Sequence, residues 1–122
     1  MSSQEFSFRK FIRGFQYAFT GIVGFIRSER NAGIHAAATV LVIVAGIYFR
    51  VSTVDAMLIA VAIGLVWMAE MFNTSIEKAM NFISGETRKE IEFIKDVSAG
   101  GVLVASLTAL AIGLFIFIPK II

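Results

Sequence analysis

The chain contains no cysteine and only one proline (Pro119), one histidine (His35) and one tryptophan (Trp67). Without cysteine it has no disulfide framework, no thiolate metal site and no thiol nucleophile. Charge is also scarce. Of its 122 residues, 16% are charged and 57% hydrophobic, with a net charge of +2. A soluble domain of this size must cover its core with polar residues. Here the apolar residues arrive in blocks with almost no charge inside them, so the solvent for those blocks is lipid. The basic residues gather beside the blocks instead of forming a stripe that could follow a phosphate backbone, which argues against nucleic acid as a partner. The N-terminal stretch opens polar and the first long apolar run begins past residue 33, so no cleavable signal is expected. The nucleotide signatures G-x-x-x-x-G-K-[ST], G-x-G-x-x-G, H-R-D and D-F-G are all missing. Any nucleotide site must be built on other principles.

What is present reads as helix. From residue 6 to 27, Phe8, Phe11, Ile12, Phe15, Phe19, Ile22, Val23 and Ile26 recur at helical spacing, with Arg9, Lys10, Arg13 and Gln16 on the other side. That pattern predicts an amphipathic surface helix at the headgroup boundary, attracted to anionic lipid. The alternative is a cytosolic helix packed on a partner. Three transmembrane helices are predicted over residues 33–50, 54–72 and 97–118, each near the roughly 20 residues that cross a hydrocarbon core. The second should continue as a cytoplasmic helix to about residue 83, before a loop at Ser84 and Gly85. The polar link Arg50-Val51-Ser52-Thr53 is tight enough to make the first two spans an antiparallel hairpin.

Lys and Arg are lopsided along this map. Arg9, Lys10, Arg13, Arg27, Arg30, Lys78, Arg88, Lys89 and Lys95 fall on one side of the bilayer, and only Arg50 and Lys120 on the other. The positive-inside bias then places the N-terminus and the polar stretch 73–96 in the cytoplasm and the C-terminus outside. Small residues repeat every fourth position, as Ala56, Ala60, Gly64 and as Gly101, Ala105, Ala109, Gly113. Such faces allow close helix packing, within one chain or between copies.

Glu70 is the most informative residue, because a carboxylate at the end of a span is expensive to bury. Glu70, Asn73, Thr74 and Glu77 stand at i, i+3, i+4 and i+7, so a helix aligns them on one stripe. Seven residues separate the two carboxylates by about 10 Å along the axis. The drier carboxylate, Glu70, suits a general base, and the wetter one, Glu77, suits a Mg²⁺ ligand. Two readings stay open at this point: in the second, Glu70 merely pairs with Lys95 or another cation between helices and Glu77 belongs to a solvated end with Lys78. Glu29 could join Glu77 around a metal, or be neutralised by Arg27 or Arg30. Lys95-Asp96, followed by Ser98, Ala99, Gly100 and Gly101, offers a phosphate-neutralising cation beside approachable backbone, or an anchoring pair at a helix start. His35 reads as a packing residue, and Trp67 and Tyr48 as interface anchors.

A metal, a base and a cation at a lipid surface fit phosphoryl transfer, in which protein groups position the reactants and offset charge. Competing readings are a non-catalytic membrane scaffold or partner subunit, and a channel or transporter subunit using Glu70 as a polar pore residue.

Taken together, Ser28-Glu29-Arg30-Asn31 with Ile34-His35, then Glu70-Met71-Phe72-Asn73-Thr74-Ser75-Ile76-Glu77, then Lys95-Asp96 with Gly100-Gly101 resemble the small bacterial diacylglycerol kinase and undecaprenol kinase family. The resemblance runs from about Phe8 to Lys120. It implies an all-α membrane protein forming a homotrimeric helical bundle in the bacterial cytoplasmic (inner) membrane, with active sites shared between neighbours. It further implies transfer of phosphate from MgATP to the primary hydroxyl of a lipid. On that resemblance Glu70 is the catalytic base beside the lipid, with Ala99 next to the same lipid, and Glu29 and Glu77 hold Mg²⁺ with the nucleotide. Lys10, Tyr17, Asn73, Glu86, Thr87, Arg88, Lys95 and Asp96 fall at nucleotide-binding positions. Thr87 and Arg88 stand where diacylglycerol-specific members carry Tyr-His. The run Glu29-Arg30-Asn31, His35-Ala36-Ala37 and the closing Phe117-Ile118-Pro119-Lys120 look more like undecaprenol kinases than diacylglycerol kinases.

Overall fold

The computed structural model describes residues 6–86 and 88–122. These form four helices, α1 (Phe8–Ser28), α2 (Arg30–Tyr48), α3 (Thr53–Ile83) and α4 (Lys89–Ile121), joined by short connections. Among the described residues there is no strand. The helices α2, α3 and α4 are each long and apolar enough to cross a membrane. Only 11% of the most apolar stretch of each is buried inside the chain, so lipid or a partner must cover the remainder.

The described residues fall into two compact units, divided after Ala37. In the first, Ser7 caps α1 by accepting a hydrogen bond at Oγ from the Lys10 backbone N–H at 3.3 Å. Phe11 and Phe15 meet edge to face with ring centroids 5.1 Å apart, the arrangement that aromatic quadrupoles favour. The helix stops because Glu29 leaves the helical region, at φ −106° and ψ 125°. Its N–H still donates to the Phe25 carbonyl at 3.1 Å, and its carbonyl accepts from Ala32 N–H at 3.2 Å. Glu29 therefore closes α1 and opens α2 with one residue.

The second unit holds the remainder of α2 with α3 and α4. The end of α2 is sealed by two backbone bonds, Arg50 N–H to Ile47 O at 3.2 Å and Val51 N–H to Gly46 O at 3.1 Å. This is the Schellman pattern, and it demands a left-handed residue where glycine is usual. Here Arg50 takes that conformation, at φ 52°. Ser52 then caps α3 by accepting from Asp55 N–H at 3.1 Å. The chain folds back antiparallel: Trp67 Nε1 donates to Thr39 Oγ1 at 2.9 Å, and Ile59 approaches Gly46. Trp67, read from the sequence as an interface anchor, thus also ties α2 to α3 through its indole N–H.

The helices α3 and α4 form a second antiparallel pair. Asp55 and Lys120 face each other at 3.9 Å at one end, Phe49 and Phe117 rings lie 5.9 Å apart near it, and Lys95 meets Asn81 at the other end. Ile59, Ala62, Ala105 and Ile116 are the buried apolar side chains between these limits. At 1.5 Å per residue, the 31-residue α3 and the 33-residue α4 run about 46 and 50 Å, well beyond a roughly 30 Å hydrocarbon core. The surplus carries the polar end of α3 from Asn73 onward and the charged start of α4, side by side at the same end of the pair.

Candidate functional site

Because α3 is unbroken from Thr53 to Ile83, Glu70, Asn73, Thr74 and Glu77 do lie along one face of it. Glu70 is half-buried and Glu77 exposed. Asn73 is half-buried, and its Nδ2 donates to Glu77 Oε1 at 3.5 Å, a long bond that turns the amide toward the carboxylate. The other end of that amide is notable: Asn73 Oδ1 is buried and has no hydrogen-bond partner. A buried acceptor left unpaired is costly, and in native proteins usually marks a group that a ligand, ion or water completes.

Across from this stripe α4 brings Lys95. Its Nζ donates to Asn81 Oδ1 at 2.6 Å. Asn81 lies three turns past Glu70, about 16 Å along the axis, so Lys95 is not the partner of Glu70. Asn81 was not read from the sequence as part of the site. The signal was available, since Asn81 follows Glu77 by four residues and prolongs the same stripe. Asp96 and Ala99, on the same stretch of α4, are exposed.

In the connection between α3 and α4, Glu86 N–H donates to Ser84 Oγ at 3.1 Å, and the Glu86 carboxylate faces Arg88 at 3.9 Å. Both side chains are largely exposed, and such a surface pair is worth at most about 1 kcal/mol. Arg88 then begins α4 as its N-cap, without a side-chain capping bond. Thr87, between them, lies outside the described residues. In the first unit, Lys10 and Tyr17 are exposed on α1, and Glu29 is half-buried at the α1–α2 junction.

The donor set can be compared with what a metal needs. Among the described residues no three or more His, Asp or Glu side chains gather closely enough to hold an ion by themselves. Mg²⁺ does not need such a cage when it arrives with a nucleotide: it keeps waters, takes oxygens from the phosphates and uses one or two carboxylates. The exposed Glu77 carboxylate beside the Asn73 amide fits that role. Chemically, the end of the α3–α4 pair offers a half-buried carboxylate, a wet carboxylate, an unpaired amide oxygen and a fixed ammonium.

Comparison with known proteins identifies the family. Residues 16–117 match the family model described as prokaryotic diacylglycerol kinase. The chain is similar to an undecaprenol kinase of Bacillus subtilis, with 35% identity over 112 residues covering 92% of this chain and 91% of that protein. It is also similar to a diacylglycerol kinase of Synechocystis sp., with 30% identity over 108 residues covering 88% of this chain and 62% of that protein, so it spans under two thirds of this second relative. The matched region contains the full α3 stripe and Lys95-Asp96, and on that evidence the chain belongs to the prokaryotic diacylglycerol kinase family, a family of lipid kinases.

Proposed function

We propose that the protein transfers the γ-phosphate of MgATP to the primary hydroxyl of undecaprenol, with diacylglycerol as the alternative acceptor, at the cytoplasmic face of the bacterial inner membrane. The observation that carries this reading is the single face of α3 on which Glu70, Asn73 and Glu77 follow one another as the helix leaves its apolar stretch, with Asn73 bonded to Glu77. Membership in a kinase family decides against the scaffold and channel-subunit readings.

In this reading Glu70 accepts the proton of the lipid hydroxyl as its oxygen forms a bond to the γ-phosphorus, and the bond from that phosphorus to the ADP oxygen breaks. Its half-buried position leaves it drier than the exposed Glu77. Glu77 and Glu29 hold Mg²⁺, which when bound offsets charge on the phosphates. Lys95 neutralises the phosphate chain, Asn73 orients it and Asp96 helps fix the nucleotide. Lys10, Tyr17, Glu86, Thr87 and Arg88 complete the nucleotide contacts, and Ala99 borders the lipid. The subunits assemble as a homotrimer, which covers the apolar faces that one chain leaves open and shares sites between neighbours. Helix α1 lies as an amphipathic surface helix with Arg9, Lys10 and Arg13 toward the headgroups; the N-terminus is cytoplasmic and the C-terminus outside. The preference for undecaprenol is supported by the relative of that name, which aligns over nearly its whole length.

The test is purified protein in mixed micelles with γ-labelled ATP, offered undecaprenol and diacylglycerol separately. Label should enter undecaprenol at the higher rate. Label in neither lipid would refute the reading.

A further inference from the structure

The ammonium of Lys95 sits at the end of a long, flexible stem, yet the structure gives it one defined place. Its Nζ donates at 2.6 Å to Asn81 Oδ1, joining the last turns of α3 to the first turns of α4. Lys95 is half-buried there, and Asn81 is exposed. Asn81 continues the face that carries Glu70, Asn73 and Glu77, one turn beyond Glu77.

We infer that Asn81 is a positioning residue, which fixes the Lys95 ammonium at the end of the carboxylate stripe before any nucleotide arrives. A free lysine stem loses rotamer freedom when it binds a phosphate, and holding it in place beforehand removes that cost from the binding step. An ammonium has three N–H donors, so a single bond to the Asn81 amide leaves two for phosphate oxygens. The amide is fixed on a rigid helix, so the direction of those two donors is set by the α3–α4 register rather than by the lysine itself. This inference rests on the phosphoryl-transfer reading above.

The test measures the affinity of the full-length protein in detergent for the Mg²⁺ complex of AMP-PNP, by calorimetry, with thermal midpoints recorded for every variant. Asn81→Leu, with Asn81→Ala run beside it, is expected to weaken binding by about tenfold at most, the cost of ordering a free lysine stem in the binding step. Asn81→Asp keeps an acceptor in the same place and is expected to stay within about threefold of the wild type. Lys95→Met is expected to weaken binding by itself, and adding Asn81→Leu to it should cost nothing more. A merely structural asparagine would instead lower affinity and thermal midpoint alike in both backgrounds, and that result overturns the inference. So does wild-type affinity in Asn81→Leu and Asn81→Ala. If Lys95→Met weakens binding and the Asn81 variants do not, only the positioning role fails. If the wild type itself does not bind the analogue, the phosphoryl-transfer reading fails with it.

Discussion

Trp67 Nε1 donates to Thr39 Oγ1 at 2.9 Å, a part-buried bond between α2 and α3. Inside a membrane protein such bonds average about 0.6 kcal/mol and reach about 1.7 kcal/mol. Trp67→Phe and Thr39→Val are each expected to lower stability in detergent by about that amount. Their double-mutant cycle should show the two losses to be non-additive. Fully additive losses would mean that the bond contributes nothing.

Arg50 holds a left-handed backbone, φ 52°, at the Schellman turn between α2 and α3. A side chain there costs roughly 1 kcal/mol that glycine avoids. Arg50→Gly should therefore raise stability against denaturant in detergent by about 1 kcal/mol, less what the added freedom of the unfolded chain removes. A loss of stability would show that the arginine side chain itself holds the turn.

Glu77 is exposed and faces the Asn73 amide at 3.5 Å. If it holds the metal that accompanies ATP, Glu77→Gln should raise the Mg²⁺ concentration needed for half-maximal lipid phosphorylation by about tenfold or more, since even groups that only support a metal ligand are worth 10–100-fold. Saturating Mg²⁺ should restore part of the rate. An unchanged Mg²⁺ titration would remove Glu77 from the metal site.

The parts of this protein that follow from periodicity were legible in its sequence. Three long apolar helices in an all-helical chain are visible because charge is excluded from long runs, and that exclusion has one physical cause, the hydrocarbon core. The alignment of Glu70, Asn73 and Glu77 follows from 3.6 residues per turn. The parts that depend on how two helices slide against each other were not legible. Lys95 looked equally able to pair with Glu70, and only the α3–α4 register brings it to Asn81. Trp67 gave no sign in the sequence of a partner on α2, and only the α2–α3 register sets Thr39 against it. The turn at Arg50 was expected to be tight, but its left-handed arginine stands where helix ends usually signal themselves with glycine. Kinase signatures gave no help, because none of them occurs in the chain, and the proposed site lies on helix ends instead of a phosphate-binding loop.

The decisive measurement is the rate at which the wild type and Glu70→Gln, at matched Mg·AMP-PNP affinity, move label from γ-labelled ATP to undecaprenol in micelles. Removing a general base should lower that rate by about 10²–10⁴-fold while nucleotide binding persists. Near-normal turnover in Glu70→Gln would contradict the assignment of the base, and with it the claim that the α3 stripe is the catalytic centre.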